Sequence, residues 1–338
     1  MEAFLYEALP NRAVKCNLCH HRCIIQNGRR GICNVRENQA GVLISLVYGK
    51  LIARHIDPIE KKPLFHLFPG SLSYSIATVG CNFKCRFCQN ADIAQMPSDR
   101  RGLIMGTPDR PEEVVAAAVK ANCQSIAYTY TEPTVYFEFA YDTARLARKR
   151  GLLNVFVTNG YMTPEALQMI SPCLDAANVD LKSFNDDFYK KYCGARLAHV
   201  QETLKMMKSL NIFVEVTTLL IPGLNDDPTE LEKLAGFLVK LLGPDTPWHI
   251  SRFHPTYRLT DRSPTPVAAL ITARDIGLRA GLRYVYIGNV PGENGENTYC
   301  HQCGKLVIER WGFQVGEKRI EDGRCRFCNT PVSGIGLA

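Results

Sequence analysis

The sequence predicts an α/β fold, a partial or full TIM-like (β/α) barrel with a small cysteine-rich metal module at each end. Short β-branched or aromatic runs alternate with amphipathic segments from about residue 72, which is typical of a parallel sheet with crossover helices. Eleven of the 14 cysteines fall into three separate clusters. The 338 residues, 46% of them hydrophobic, are enough for a large core. We therefore expect an N-terminal module over 1–70, the barrel over 71–292 and a C-terminal module over 293–338.

The N-terminal module contains four cysteines within 18 residues: Cys16, Cys19, Cys23 and Cys33. Four thiolates can close a tetrahedral zinc site or bind an auxiliary 4Fe-4S cluster, and the spacing does not choose between them. Further along, the apolar pattern over 41–56 predicts a β-hairpin that turns at Tyr48-Gly49-Lys50.

The barrel is predicted from strand candidates with helix starts between them. The strand candidates are 73–79, 125–130, 153–158, 177–181, 213–219, 249–253 and 284–287. A capping residue followed closely by proline at Asp109, Thr163 and Asp227 predicts three of the intervening helices. In a parallel barrel the functional side chains lie on the loops that follow the strands. The polar motifs at those positions therefore form the candidate site.

The loop after the first strand carries the most informative motif, Cys81-Asn-Phe-Lys-Cys85-Arg-Phe-Cys88. Soft thiolate ligands favour iron–sulfur clusters or zinc over hard cations. Structural zinc needs four closed ligands, and no further Cys or His occurs in the next dozen residues. We therefore expect the three cysteines to hold a 4Fe-4S cluster by three of its irons, which leaves the fourth iron open for chemistry. Three buried or zinc-bound cysteines are the alternative interpretation.

Polar residues also follow the later strands, and each has a structural explanation beside the functional one. The candidates are Glu132, Thr158, Asn159, Asp180, Lys182, Asn225 and His254. Thr158 or Asn159 could hydrogen-bond a ribose. Glu132 equally suits a helix cap, and a lone histidine is more often structural than functional. The unclustered Cys193 is expected to be a buried small hydrophobe rather than a substrate-site thiol.

The C-terminal module contains two cysteine pairs of the Cys-x2-Cys type. Its cysteines are Cys300, Cys303, Cys325 and Cys328. Two such pairs predict a zinc ribbon, and a single rubredoxin-like iron bound by the same sulfurs is the alternative. We expect this module to act as a structural clip or as a platform for a protein partner rather than to bind nucleic acid.

Composition bears on partners and compartment. Forty Lys and Arg against 33 Asp and Glu give a net charge of +7, a mild excess spread along the chain that does not indicate nucleic-acid binding. No apolar run approaches the length of a membrane span, and the N-terminus lacks the pattern of a secretory signal. We therefore expect a cytoplasmic protein, not associated with a membrane, whose reduced cysteines are available as metal ligands.

The cysteine loop, with Phe87 just ahead of its last cysteine, resembles the radical S-adenosylmethionine (radical SAM) superfamily. Together with Cys16-Asn-Leu-Cys-His-His-Arg-Cys23, Asp57-Pro-Ile-Glu-Lys-Lys-Pro and Tyr192-Cys-Gly-Ala-Arg, it resembles the radical SAM enzymes of the AmmeMemoRadiSam system, relatives of the pyruvate formate-lyase (glycyl-radical) activating enzymes. The resemblance implies a barrel of the radical SAM type. It also implies that S-adenosylmethionine is reductively cleaved at the 4Fe-4S cluster to a 5'-deoxyadenosyl radical, which abstracts hydrogen from a substrate.

The same resemblance implies roles for the polar residues. Phe87 would lie by the adenine and Glu132 would bind the amino group, although Tyr130 and Thr131 replace the two glycines that precede this Glu in the superfamily. Asp180 and Lys182 would hold the carboxylate and the local charge. The remaining implied cofactor contacts are Asn225, in an adenine-side loop, and His254.

Three hypotheses on function follow. A peptide or protein substrate, as in activating enzymes, is the first, with an electron donor such as flavodoxin or ferredoxin. The second is radical modification of a small molecule, with the N-terminal cysteines holding an auxiliary cluster. The third is a non-catalytic, zinc-dependent protein that binds RNA or a protein partner.

Overall fold

The computed structural model describes residues 1–290 and 294–337, and its N-terminal part consists of short antiparallel strands. The first sheet contains β1 (Tyr6–Ala8), β2 (Val14–Cys16) and β3 (Ile24–Ile25). A hairpin follows, formed by β4 (Arg36–Gln39) and β5 (Val42–Ser45). The next two strands are β6 (Lys50–Leu51) and β7 (Ala53–Pro58).

The predicted hairpin over 41–56 is wrong. β5 pairs with β4, the strand that precedes it, through a turn at Ala40 and Gly41. These two residues have positive φ angles of 57° and 97°. β7 instead runs antiparallel to residues 72–77 of the central sheet. The sequence over 41–56 is extended as predicted, but its pairing partners come from outside that range, which a local pattern does not report.

The central sheet contains all the predicted barrel strands, which are parallel to one another. They are β8 (Leu72–Ala77), β10 (Ser125–Tyr128), β11 (Leu153–Thr158), β12 (Ala176–Asp180), β13 (Phe213–Leu220), β14 (Trp248–Arg252) and β15 (Val285–Gly288), while β9 (Thr107–Pro108) pairs with β6. The sheet order is β7-β8-β10-β11-β12-β13-β14-β15. Within residues 1–290 and 294–337, β15 and β7 do not pair. The fold is therefore the partial form of the predicted barrel.

Helices lie between the sheet strands and cover its outer face. They are α1 (Ala91–Ala94), α2 (Met96–Asp99), α3 (Pro111–Lys120), α4 (Phe137–Lys149), α5 (Pro164–Ile170), α6 (Asp186–Phe188), α7 (Leu197–Ser209), α8 (Pro228–Leu241) and α9 (Val267–Arg279). Thr163 and Asp227 cap α5 and α8 as predicted, because each side chain accepts a hydrogen bond from a backbone N–H of the first turn. The start of α3 is also confirmed, but the capping residue is Arg110. A π-helical segment, Tyr189–Cys193, follows α6.

The C-terminal module is built from short antiparallel strands. It contains β16 (Thr298–Tyr299), β17 (Leu306–Trp311), β18 (Gln314–Lys318), β19 (Ile320–Glu321) and β20 (Arg324–Cys325). Its own apolar core includes Phe65, Tyr284 and Tyr286, so the module packs on the edge of the barrel. Backbone hydrogen bonds join His66 and Phe68 to Ile335.

The N-terminal part shares the main core with the barrel. Val14, Leu18 and Val35 belong to the same cluster of buried residues as Phe83 and Ile126. Because β7 forms one edge of the barrel sheet, the domain boundary near residue 70 stays a prediction. The domain boundary near residue 292 also stays a prediction. No helix in the described part of the chain has the length and apolarity to cross a membrane.

Candidate active site

A cavity of about 400 Å³ lies at the carboxyl ends of β8, β10, β11, β12 and β13. This is where a parallel barrel is expected to place its chemistry. Most of the candidates line it: Cys81, Cys85, Phe87, Cys88, Glu132, Thr158, Asn159, Asp180 and Lys182. The volume is in the range of small-molecule and cofactor sites.

The loop of Cys81, Cys85 and Cys88 is held by backbone contacts from the π-helical segment. Lys84 N donates to the carbonyl of Cys193 at 2.7 Å, and Arg86 N donates to that of Tyr192 at 2.9 Å. These bonds are made between residues more than a hundred positions apart, so the loop shape depends on the assembled barrel.

The three cysteines of this loop do not converge as the ligands of one shared ion would. Among the described residues, they are not a group whose ligand atoms all lie within 4.8 Å of one another. Burial raises the pKa of Cys88 to about 11, and burial, together with Glu132 and Cys85, raises that of Cys81. For Cys85 the hydrogen bond with Cys193 is the largest cause of a raised pKa. A bound metal would have to displace these protons.

Glu132 lies at the centre of a buried hydrogen-bond network beside Cys81. Its Oε1 accepts from Thr158 Oγ1 at 2.8 Å and Thr134 N at 3.0 Å, and its Oε2 accepts from Asn159 N at 2.8 Å. Burial raises the pKa of Glu132, while the hydrogen bonds from Asn159 and Thr134 act to lower it. Glu132 therefore caps the following turn. Its Oε2 accepts the hydrogen bond from Asn159 N and can accept another from a group in the cavity.

Asn159 links this network to the cysteine loop. Its Nδ2 donates to Asn82 Oδ1 at 2.7 Å and lies 3.8 Å from Cys81 Sγ. Its Oδ1 accepts from Tyr161 N at 3.2 Å. Because both polar atoms are engaged, the amide is held in one orientation at the cavity wall.

Asp180 and Lys182 form an ion pair that faces Cys85. Lys182 Nζ lies 2.9 Å from Asp180 Oδ2 and 5.8 Å from the centre of the Phe87 ring. Burial acts to lower the pKa of Lys182, but Asp180, Cys85 and Cys193 outweigh it and hold that pKa well above its usual value. The ion pair keeps a permanent positive charge beside the cysteine loop.

Two candidates do not reach the cavity in the described structure. Asn225 is buried, and both polar atoms of its side chain are already hydrogen-bonded. Its Nδ2 donates to the carbonyls of Leu219 and of Lys182, which follows another strand, and its Oδ1 accepts from Ile221 N. It therefore positions the backbone of Lys182 instead of lining the cavity. His254 lies at the surface and is not among the described lining residues. Cys193 is fully buried, as expected, although it contacts Cys85.

Sequence reasoning missed Lys62 and Tyr130, which line the cavity, and Asp57, which contacts both of them. Asp57 accepts from Lys62 Nζ at 2.6 Å and from Lys61 Nζ at 2.8 Å, and it makes a short hydrogen bond with the Tyr130 hydroxyl. Burial acts to raise the pKa of Asp57, but these three donors hold it below its usual value. Burial lowers the pKa of Lys62 to about 8. The motif Asp57-Pro-Ile-Glu-Lys-Lys-Pro was the available signal, because it places acidic and basic residues just before the first barrel strand.

An aromatic hairpin tip borders the cavity. Phe313 lines it, and Trp311 lines an adjoining cavity that shares Ser251 and Asn289 with the first. Trp311 is 69% exposed and is the last residue of β17, and Phe313 is 48% exposed and lies in the turn between β17 and β18. The C-terminal module therefore presents two large apolar side chains at the rim.

The cysteines of the C-terminal module converge as a single-ion site would require. The sulfur atoms of Cys300, Cys303, Cys325 and Cys328 all lie within 4.8 Å of one another. Cys300 Sγ is 3.6 Å from Cys328 Sγ, and Cys303 Sγ is 3.8 Å from Cys325 Sγ. Tetrahedral zinc with Zn–S bonds of about 2.3 Å separates its sulfurs by about 3.8 Å. The predicted metal-binding module is thus supported by its geometry.

Comparison with known proteins identifies relatives over the barrel and over the whole chain. Residues 75–235 match the sequence pattern of the radical SAM superfamily. The Methanocaldococcus jannaschii protein MJ0808 is 49% identical over 333 residues, which is 98% of each chain. The pyruvate formate-lyase 1-activating enzyme of Escherichia coli K12 is 24% identical over 162 residues, 47% of this chain and 65% of its own length.

Solved structures share the fold at low identity. A radical SAM methyltransferase from Sphaerobacter thermophilus superposes with a TM-score of 0.51 at 17% identity and covers 71% of each chain. Streptococcus suis SuiB bound to its precursor peptide SuiA gives a TM-score of 0.51 at 11% identity, over 68% of this chain and 51% of that one. At these identities the likeness concerns the fold alone.

Proposed function

Because the chain belongs to the radical SAM superfamily, we propose that it cleaves S-adenosylmethionine in order to abstract hydrogen from a peptide or protein substrate. The observation that carries the proposal is the cysteine loop at the mouth of a barrel cavity that the aromatic tip of the C-terminal module borders. A reduced 4Fe-4S cluster with bound S-adenosylmethionine supplies a 5'-deoxyadenosyl radical. Membership of an enzyme superfamily contradicts the hypothesis of a non-catalytic binding protein.

The residues around the cavity suit this cofactor pair. We assign the cluster to Cys81, Cys85 and Cys88. Glu132, held in one rotamer by its donors, suits the amino group of the methionine moiety, and Lys182 suits its carboxylate. Further contacts are assigned to Phe87 at the adenine, to Thr158 or Asn159 at the ribose, and to Asp180. The protein's part is to hold these groups in place and to exclude water from the reacting carbon.

The rim supports a macromolecular substrate. Aromatic side chains are enriched in protein interfaces, and exposed apolar patches often mark sites of interaction. Trp311 and Phe313 are such a pair. The pyruvate formate-lyase 1-activating enzyme, to which the barrel is similar, is named for a protein that it activates.

Other parts of the proposal go beyond membership of the superfamily. We assign the chain to the AmmeMemoRadiSam branch because of the motifs outside the barrel, and we assign zinc to the four C-terminal cysteines because of their sulfur separations. The reductant is expected to be a flavodoxin or a ferredoxin, and the compartment the cytoplasm. Asn225 and His254 lie away from the cavity lining, so we give them no direct cofactor contact.

The test follows deuterium from substrate to cofactor. The anaerobically reconstituted protein is mixed with S-adenosylmethionine, a reductant and an extract of cells grown in deuterated medium, which has been separated by size into macromolecules and small molecules. We expect deuterium in 5'-deoxyadenosine only with the macromolecular fraction. Transfer from the small-molecule fraction alone would instead support radical modification of a small molecule. If no 5'-deoxyadenosine forms under any condition, the assignment of the cavity to this chemistry fails.

A further inference from the structure

The four N-terminal cysteines line one cavity together, although β2 and three separate loop positions carry them. Cys16, Cys19, Cys23 and Cys33 face this space, which Asn82 and Arg36 also line. Burial raises the pKa of Cys19 and that of Cys33, and neighbouring thiols of the same group add to both shifts. The fold therefore gathers four soft ligands around one cavity, with Cys16 buried and the other three half-buried, as a metal site requires.

Sulfur spacing distinguishes this group from the C-terminal one. The four C-terminal sulfurs lie within 4.8 Å of one another, the arrangement of thiolates around a single ion. Among the described residues, neither the N-terminal four nor the three cysteines of the barrel loop form a group with that spacing. Cysteines that bind different irons of a cluster stand further apart, because each sulfur lies outside its own iron. The N-terminal group thus resembles the barrel loop and differs from the ribbon.

Unpaired donors around the cavity point to acceptors that the protein does not supply. The Arg36 side chain is only 2% exposed, and its Nη2 donates to the Phe4 carbonyl and pairs with Glu138. Its Nε and Nη1 have no partner among the residues that the structure describes. Asn82 Nδ2 is also buried, and it has no partner within the described part of the chain. A buried donor that is left unpaired destabilises the folded state. The inorganic sulfides of a cluster would accept these bonds, whereas zinc adds no acceptor beyond the cysteine sulfurs.

The two cysteine sites share a wall. Asn82 lines the N-terminal cavity, and its Oδ1 lies 3.8 Å from Cys81 Sγ. Gly80 has a φ of +105°, and a Cβ there would meet Val35 at 2.5 Å, so the barrel loop packs closely on the N-terminal module. Cys81 and Cys33, one from each site, both act electrostatically on Lys84. Each acts to raise the pKa of its ammonium group, whereas burial acts to lower it.

We propose that Cys16, Cys19, Cys23 and Cys33 hold a second iron–sulfur cluster, separate from the cluster of the barrel loop and adjacent to it. A cluster at this position would carry negative charge beside the buried Arg36 guanidinium. The inference is independent of the substrate proposed above, because it concerns metal content and not turnover.

The test removes the barrel cluster first. In the variant C81A/C85A/C88A, reconstituted anaerobically, we expect about four irons per chain, matching inorganic sulfide and an electron paramagnetic resonance signal after reduction. Adding Cys19→Ala and Cys33→Ala should remove iron, sulfide and signal together. Adding Cys123→Ala, a buried cysteine outside all three clusters, should leave them unchanged.

Sulfide decides the outcome even if the N-terminal substitutions prevent folding. A rubredoxin-like iron in the ribbon would bring iron without inorganic sulfide, so sulfide in the triple variant supports the proposal. Zinc without sulfide in the triple variant overturns it, as does a cluster that survives the N-terminal substitutions. Absence of 5'-deoxyadenosine in the wild type would count against the proposed function alone.

Discussion

Lys62 Nζ lies 2.6 Å from Asp57 Oδ2 in a buried pair at the wall of the barrel cavity. The Lys62 side chain is 1% exposed, while Lys61, the other partner of Asp57, is 43% exposed. Removing one member of a buried ion pair is strongly destabilising, whereas an exposed pair contributes little. Adjacent lysines therefore bind the same carboxylate with different consequences.

Lys62 should make stability rise with pH above about 8. Burial lowers the pKa of Lys62 from 10.5 to about 8, so between these values the unfolded chain binds a proton that the folded chain has released. The free energy of unfolding therefore increases with pH across this window and receives a constant contribution below it. Denaturant unfolding at a series of pH values should show this slope in the wild type and in Lys61→Met. Lys62→Met should lose it, and an unchanged slope in that variant would contradict the expectation.

Glu132→Gln should weaken both folding and cofactor binding. The substitution replaces an acceptor that serves Thr158 and Asn159 with an NH2 group, which leaves a buried donor unpaired at a cost of about 1–3 kcal/mol. Affinity for S-adenosylmethionine, measured by equilibrium dialysis of the reconstituted protein, should fall at least about tenfold, as loss of a charge-assisted bond implies. Thr134→Val is the matched control, because it removes the hydrogen bond that Thr134 Oγ1 donates to Glu132 Oε1 and leaves the carboxylate in place. Equal affinity in Glu132→Gln and wild type would remove Glu132 from the cofactor site.

Lys182→Met should lower the reduction potential of the barrel-loop cluster. The ammonium faces Cys85, and loss of a positive charge beside a cluster disfavours the electron that reduction adds. A shift on the order of 50 mV corresponds to an interaction of about 1 kcal/mol. A redox titration followed by electron paramagnetic resonance measures it. Lys190→Met, an exposed lysine on the neighbouring segment, should leave the potential unchanged.

The aromatic tip should matter for the substrate and not for the cofactor. In W311A/F313A we expect the basal formation of 5'-deoxyadenosine to persist while stimulation by the macromolecular fraction falls at least about tenfold, as loss of an aromatic anchor pair implies. Phe327→Ala removes an aromatic of similar exposure from the same module and should change neither. Equal stimulation in W311A/F313A and wild type would exclude the tip from substrate binding.

Much of the candidate site was predictable because its residues follow strands. Cys81 and Glu132 come just after strand candidates, Thr158 and Asp180 lie at the carboxyl ends of β11 and β12, and parallel strands bring such positions to one edge. Asn225 and His254 satisfy the same rule but lie outside the cavity lining. A position after a parallel strand predicts at which end of the barrel a residue lies. It does not predict the direction in which the side chain points.

The sequence by itself determined the positions of the barrel strands, the three cysteine clusters and the chemistry that their spacing permits, because these depend on local periodicity and on ligand type. Only the tertiary structure decided which segments pair across long separations. It carried β7 onto the barrel sheet, brought Tyr130 to Asp57 and set Asn82 between two cysteine sites. It also distinguished the compact C-terminal sulfur group from the wider N-terminal one, because distances between sulfurs depend on how the loops pack and not on their spacing along the chain.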